Sequence, residues 1–260
     1  MPALCLTPVT GRAQIFVTNE GNNTIGEYNA TTGATINSSF ISGLDFPTGI
    51  ALFGGNLFVA NSGNNTIGEY NAATGAPINS SFISSGLNQP RGIAFSGGNL
   101  FVTNALGNTI GEYNATTGAT INPAFISSGL IQPVGLALSG GNLLVTNAGN
   151  DTIGEYNATT GATINSSFIS SGLITPLGIA FSGGNLLVAN NVNNTIGEYN
   201  ATTGAMINSS FISSGLNGPT GIVVSSRSSV PDASPTLTLL LLGVGATFGL
   251  NLLLHRRSEA

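Results

Sequence analysis

The sequence predicts an all-β protein, a five-bladed β-propeller of four-stranded blades with strand-exchange closure, followed by one C-terminal hydrophobic helix. Two observations support the propeller. The chain repeats one segment five times, and the repeats are marked by tyrosines 42, 43, 43 and 43 residues apart, at Tyr28, Tyr70, Tyr113, Tyr156 and Tyr199. Each repeat also divides into four short apolar runs separated by turn-forming residues, which is the pattern of a β-meander.

The four strands follow one another in the order GIAF, NLFVTN, TIGEYN and TINPAFIS in the third of these repeats. Glycine pairs and Asn-rich turns separate them, as expected between antiparallel neighbours. The run IALFGGNLFVAN is apolar on both faces of its strands, which suits blades that pack against a neighbour on either side. No segment before Leu237 has the length and the period of a helix.

The first and last strands predict how the ring closes. The repeats begin with a second strand, Ile15–Asn19, and end with a first strand, Thr220–Ser225. We expect the last strand to complete the blade that the first one begins, because a closed ring has no free sheet edge. A strained or open ring is the alternative.

The composition excludes several classes of function. Charged residues are 6% of the chain, and between Gln14 and Ser226 a single basic residue, Arg91, accompanies eight acids. Such a surface has no electrostatic footprint for nucleic acid. Cys5 is the only cysteine and His255, in the C-terminal tail, the only histidine. We therefore expect no disulfide, no His-based catalytic centre and no cofactor.

Two polar residue types recur in every repeat, and we expect both to be structural. The glutamates lie in the middle of the third strand, away from the inner strands that line the central channel of a propeller. We therefore expect them to form hydrogen bonds to the adjacent blade rather than a calcium-binding ring. They are Glu27, Glu69, Glu112, Glu155 and Glu198. The asparagines that end the second strands are expected to cap turns. They are Asn19, Asn61, Asn104, Asn147 and Asn190. We predict no catalytic and no metal-binding residue.

The differences between repeats concentrate in two segments, one after the second strand and one before the first strand. In an antiparallel meander both segments emerge on the same face, whereas the SGGN and NATTGA turns of the opposite face hardly change. Since loops on a rigid scaffold commonly carry recognition, this is the predicted binding face. Its candidate ligand-binding residues are Arg91, Leu106, Val134, Leu177 and Asn191. A polysaccharide or another protein is the expected ligand; a mere spacer would have no such face.

The repeat, as in PRGIAFSGGNLFVTN followed by NTIGEY, resembles the NHL repeat over residues 14–226. This resemblance implies a propeller, although NHL-like propellers more often have six blades. The motif NTIGEY is more weakly similar to virginiamycin B lyase-like propellers. A degenerate lactonase- or lyase-like enzyme is therefore the alternative function. The lyase activity would need a histidine in the propeller, and catalysis needs differentiated residues on a few blades, which five near-copies do not supply.

The C-terminal part has a different composition. A linker at residues 227–236 precedes an apolar segment at 237–257, in which Leu237–Leu254 is near the minimum length for a membrane-spanning helix and is followed by a basic end. This order resembles the VPD variant of the bacterial PEP-CTERM sorting signal. The matching residues are Val230, Pro231, Asp232, Thr236, Arg256 and Arg257.

The sorting-signal resemblance implies an exosortase-type enzyme as partner, an inner-membrane intermediate and a final place at the cell surface or outside the cell. An ordinary membrane anchor is the alternative. At the other end, residues 1–13 resemble the last part of a signal peptide without its basic region, and we expect a truncated remnant.

Overall fold

The computed structural model describes residues 14–222, apart from residues 30, 31 and 33. This part of the chain forms nineteen β-strands in five antiparallel sheets and one short 3₁₀ turn at Glu20–Asn22, with no α-helix. Each sheet is one blade of a five-bladed β-propeller, as the repeats predict.

Strand bounds repeat from blade to blade. Blade 1 contains β1 (Gln14–Asn19), β2 (Thr24–Asn29) and β3 (Thr35–Ile41). Blade 2 contains β4 (Pro47–Phe53), β5 (Asn56–Asn61), β6 (Thr66–Asn71) and β7 (Pro77–Ile83). Blade 3 contains β8 (Pro90–Ser96), β9 (Asn99–Asn104), β10 (Thr109–Asn114) and β11 (Thr120–Ile126). Blade 4 contains β12 (Pro133–Ser139), β13 (Asn142–Asn147), β14 (Thr152–Asn157) and β15 (Thr163–Ile169). Blade 5 contains β16 (Pro176–Ser182), β17 (Asn185–Asn190), β18 (Thr195–Asn200) and β19 (Met206–Ile212).

The predicted apolar runs coincide with these strands. In blade 3, β9 is the run NLFVTN and β10 is the run TIGEYN, and β8 extends the predicted GIAF back to its proline. The outer pair is irregular, because β10 faces β11 with shifts in register between Ile110 and Tyr113. The same shifts occur in the outer pair of every blade, so the outer strand bends along the blade edge.

The apolar core lies between neighbouring blades. One cluster combines Phe58 and Ile83 of blade 2 with Leu100 and Tyr113 of blade 3. The hydroxyl of Tyr113 donates a hydrogen bond of 2.9 Å to the carbonyl oxygen of Gly86, which follows the outer strand of the preceding blade. Tyr156 and Tyr199 make the equivalent bonds to Gly129 and Gly172, each at 2.7 Å. These tyrosines therefore tie the blades together.

The first blade has three strands in the part of the chain that the structure describes. Its β1 exposes Ile15 by 37% and Val17 by 40%, whereas the equivalent Leu57 and Val59 of blade 2 are 1% and 0% exposed. An inner strand covers β5 in blade 2, and none of the described strands covers β1.

The segment predicted to close the ring is Thr220–Ser225. The structure describes this segment only as far as Ile222, and the described part is not assigned as a strand. Ile222 packs against Leu187, Ala189 and Ile196 of blade 5. Closure within one chain remains a prediction.

Several other predicted features lie outside the described residues. They are the signal-peptide remnant at residues 1–13, the linker with Val230, Pro231, Asp232 and Thr236, and the apolar segment at 237–257 with Arg256 and Arg257. Within the described range, no helix is long and apolar enough to cross a bilayer.

Candidate binding face

In blades 2 to 5 the two variable segments lie side by side on one face, as predicted. The backbone N–H of Ala105, after the second strand of blade 3, donates to the carbonyl oxygen of Gln89 at 3.1 Å. Ala148 donates to Gln132 in the same way at 3.1 Å, and Asn191 donates to Thr175 at 3.2 Å. These bonds join each loop to the segment that leads into the first strand of its own blade.

The first strands surround a central cavity of about 560 Å³. Each contributes the residue between its proline and its glycine, and the segment after blade 5 contributes the equivalent Thr220. The set is Thr48, Arg91, Val134, Leu177 and Thr220. Four residue types occupy these five positions, with threonine present twice, so the wall of the cavity is not five-fold symmetric.

The glycine of each Pro-x-Gly motif permits this close arrangement. A Cβ atom on Gly92 would collide with the backbone carbonyl of Val134, and one on Gly135 with the carbonyl of Leu177. Neighbouring first strands therefore approach too closely for any side chain here. Repetition of this glycine is explained by packing at the channel wall.

A smaller cavity of about 220 Å³ lies where the variable segments meet the channel. Arg91, Val134 and Leu177 line both cavities, and Leu106 lines the smaller one. Four of the five candidate ligand-binding residues are thus brought together. Asn191 is not among the lining residues; its side-chain amide donates to the carbonyl oxygen of Pro219 at 3.4 Å.

The residues before the prolines of the first strands form the rim of the channel mouth, and their backbone conformation is unusual. The residue before each proline is left-handed, with φ of 48° at Phe46, 54° at Gln89, 49° at Gln132 and 48° at Thr175. Both the side chain and the following proline disfavour that region, most severely for a β-branched threonine. In the segment after blade 5 the equivalent position is Gly218, at φ 58°.

A side chain from the preceding blade holds each of these residues in place. The Asn65 side-chain oxygen accepts the backbone N–H of Gln89 at 2.6 Å, and the Asn108 oxygen accepts that of Gln132 at 2.7 Å. Asp151 does the same for Thr175 at 2.6 Å. The rim is therefore fixed by contacts between blades and is not a loose loop.

Arg91 is the one basic residue of the described chain, and it is partly buried in the channel. No acidic side chain of residues 14–222 forms an ion pair with its guanidinium. Glu20 is the one acid among the residues that line the larger cavity, where it is exposed.

The repeated glutamates are structural, but their partners are not those expected. The Asn99 side chain donates to Glu112 at 2.6 Å, and Asn142 donates to Glu155 at 2.8 Å. Gln14 makes the equivalent bond to Glu27. The prediction of partners on the adjacent blade is therefore wrong, because each partner begins the neighbouring strand of the same blade. Among the described residues, no three His, Cys, Asp or Glu side chains are grouped as metal ligands.

Burial affects the ionisation of several of these groups. Desolvation raises the pKa of the Glu112 carboxyl, and the hydrogen bond from Asn99 opposes that rise. Desolvation also raises the pKa of Tyr113 and that of Tyr156 to about 12, against a smaller lowering by the neighbouring asparagines. These tyrosines stay neutral donors well above neutral pH.

The asparagines that end the second strands hold the turns, as expected. The side-chain oxygen of the buried Asn104 accepts the backbone N–H of Asn88 at 3.0 Å, and its amide nitrogen donates to Thr109 at 3.2 Å. Asn147 makes the corresponding pair of bonds. Both ends of the amide are therefore engaged within the fold.

Further exposed apolar side chains of this face are not among the candidate residues. Phe46 is 51% exposed at the rim and Val192 is 64% exposed in the loop of blade 5, and Ile131 and Ile174 are exposed in the segments before β12 and β16. Alignment of the repeats could have identified both Val192 and Phe46. Val192 occupies the position of Leu106, and Phe46 occupies the position of Gln89.

No family model and no curated protein sequence matches this chain. Solved structures with similar folds do exist. A chain in the crystal structure of a nidogen/laminin complex is 17% identical, with 84% of this chain and 83% of that chain covered and a TM-score of 0.67. The computationally designed Ika8 protein is 13% identical, with 82% and 75% covered and a TM-score of 0.49. The first likeness supports the propeller fold and nothing finer.

Proposed function

We propose that this protein is a non-enzymatic binding module that recognises a surface polysaccharide or another protein through the face formed by its variable segments. The main observation behind this proposal is that residues that differ between blades lie close together in space. Residues that vary, such as Arg91, Val134 and Leu177, line a shared cavity at the mouth of the channel. Residues that repeat, such as Glu112 and Asn104, are engaged in hydrogen bonds within the fold. Variable positions around a cavity on a rigid scaffold are typical of a binding site.

A screen of the purified full chain against immobilised polysaccharides and proteins tests this proposal. We expect saturable binding to at least one partner, and its loss in a variant that carries Arg91→Ala and Leu106→Ala. The matched control carries Ser139→Ala and Ser182→Ala, in the SGGN turns of the opposite face, and should bind as the wild type does. Equal loss in both variants, or no partner at all, would refute the binding face.

We also propose that the chain is exported, passes through an inner-membrane intermediate and reaches the cell surface or the extracellular matrix. Support comes from the order of Val230-Pro231-Asp232, Thr236 and the basic end at Arg256 and Arg257, which resembles a signal read by an exosortase-type enzyme. Mass spectrometry of the mature C-terminus tests it. Removal of the C-terminal tail is expected, and an intact HRRSEA end would indicate a retained anchor instead.

A further inference from the structure

Arg91 breaks the symmetry of the channel by its charge. The equivalent positions are Thr48, Val134 and Leu177 in three other blades and Thr220 in the segment after blade 5, and all are uncharged. All five residues line the same cavity, so a repeat that is otherwise nearly copied places one cation in the channel wall.

The geometry points to a ligand with a negative group: we propose that the channel mouth binds the terminal acidic sugar of an otherwise neutral glycan, with the Arg91 guanidinium pairing with the sugar carboxylate. This inference rests on the proposed function, because it assumes that the variable face is the binding face. It adds the chemical class of the ligand and the residue that selects it.

The Arg91 guanidinium is available for such a group. It makes no ion pair with any acid in residues 14–222, and no acid lines the smaller cavity. A guanidinium offers five N–H donors in a planar fork that matches a carboxylate in two parallel hydrogen bonds. At a partly buried position these bonds are less screened by water than they are on an open surface.

The surrounding charge limits the ligand to about one negative group. The described chain has eight acids and one base, and Glu20 lies at the larger cavity. Such a surface repels polyanions such as nucleic acids and highly sulfated chains. One guanidinium offsets one carboxylate, so an otherwise neutral ligand fits this site best.

The other residues of the smaller cavity suit a sugar. Gln89, Gln132 and Thr175 present amide and hydroxyl groups that can pair with sugar hydroxyls, and Leu106 and Val134 can contact its apolar C–H faces. A peptide segment is commonly bound along a free strand edge, in a long groove as a helix or in an aromatic-lined groove; binding of a peptide by its C-terminal carboxylate alone is the case that the experiment below separates. This cavity of about 220 Å³ has no aromatic lining and is too short for a helix.

The fixed backbone conformation of the rim also supports a ligand site at the smaller cavity. The backbones of Gln89, Gln132 and Thr175 are held in a left-handed conformation by side chains of the preceding blade. Strained positions that the surrounding structure over-determines cluster at ligand sites, where the binding groups need to be preorganised.

Titration of the full chain with methyl glucuronide and with methyl glucoside tests the inference, since the two sugars differ only at C6, where a carboxylate replaces a hydroxymethyl group. We expect the glucuronide to bind at least about tenfold more tightly, as for a charge-assisted pair of hydrogen bonds. Arg91→Gln should reduce the ratio of the two affinities to about one, since the glutamine amide carries no charge to pair with the carboxylate, and Arg91→Lys should keep part of the preference. Arg227→Gln, which removes one positive charge outside the propeller repeats, is the matched control and should behave as the wild type.

The contrary outcomes separate the inference from the proposed function. Equal affinity for both sugars, or a preference that survives Arg91→Gln, overturns the acidic-sugar site and leaves the binding face in place. Tighter binding of N-acetyl-glycylglycine than of the glucuronide would place a peptide carboxylate there and also overturn it. Failure to bind either sugar, in a chain that binds a partner in the screen, overturns the inference alone. Failure in both experiments removes the proposed function as well.

Discussion

At the scale of single residues, Thr175 shows how the binding face is built. Its backbone is left-handed at φ 48° although it is β-branched and precedes Pro176. The bond from its N–H to the Asp151 carboxylate, at 2.6 Å, compensates in part for this strain. No local sequence rule predicts such a conformation before a proline, because the preference of the pair is for extended backbone. The conformation comes from contact with the preceding blade.

Thr175→Gly should stabilise the protein. The change removes a strain of order 1–3 kcal/mol, and glycine costs about 0.5–1 kcal/mol in unfolded-state entropy, so we expect a net gain of about 1 kcal/mol. Urea unfolding of the full chain measures it. Gln89→Gly is the matched control and should gain less, because glutamine is not β-branched. A lower stability for Thr175→Gly would show that the threonine side chain contributes more than the backbone strain costs.

The buried tyrosines predict a sharp loss of stability at alkaline pH. Burial raises the pKa of Tyr113 and of Tyr156 to about 12 from the unfolded value of 10. Their contribution is therefore fully present below pH 10 and is lost as the pH rises from 10 through 12, where the unfolded chain releases these protons first. The chain has no lysine, so these hydroxyls dominate its titration in this range.

Urea unfolding midpoints between pH 8 and pH 11.5 measure this effect. The combined variant Tyr113→Phe and Tyr156→Phe should be less stable at pH 8, because it lacks the bonds to Gly86 and Gly129, and should show a shallower alkaline decline. Tyr28→Phe is the control, since its hydroxyl has no hydrogen bond within the described chain. An equally steep decline in the double variant would contradict the assignment.

At the scale of strands, the sequence and the structure agree because the local signals are strong. Apolar runs bounded by glycine pairs place β9 and β10 at the predicted residues. The partner of Glu112 could also have been predicted. Asn99 lies opposite Asn114 in the β9–β10 register, which makes Asn99 and Glu112 diagonal neighbours on one face. The volume of the channel could not be predicted, because it depends on how closely the first strands pack.

Gly92→Ala tests the packing of the first strands. The added methyl group would meet the backbone carbonyl of Val134, which cannot rotate away, so we expect a loss of about 1–3 kcal/mol in the free energy of unfolding. Gly21→Ala is the control, because no atom lies within 4 Å of the Cβ position there. A neutral Gly92→Ala would mean that the channel wall yields more easily than this packing implies.

At the scale of the whole molecule, the inner side of β1 is paired with none of the strands in residues 14–222. Ile15 and Val17 are exposed there, whereas their equivalents in blade 2 are buried. The sequence predicts that Thr220–Ser225 covers this side, since it repeats the pattern of a first strand. The apolar pattern identifies the strand, but only pairing with β1 would establish closure.

Amide hydrogen exchange of the full chain tests closure. If the last strand pairs with β1, the amides of Gln14–Asn19 should exchange about as slowly as those of Asn56–Asn61, the equivalent strand of blade 2. Val224→Pro should then speed exchange in β1 and leave β5 unchanged, because proline cannot complete the ladder. Fast exchange across β1 in the unaltered chain would indicate an open ring.

The central claim is that the variable face is the binding face. Hydrogen exchange with and without a partner retained in the binding screen tests it most directly. The account predicts added protection at residues 88–92, 105–106 and 131–134, and none at the turns 54–56, 97–99 and 140–142 of the opposite face. Protection confined to those turns, or spread along the outer strands, would contradict it.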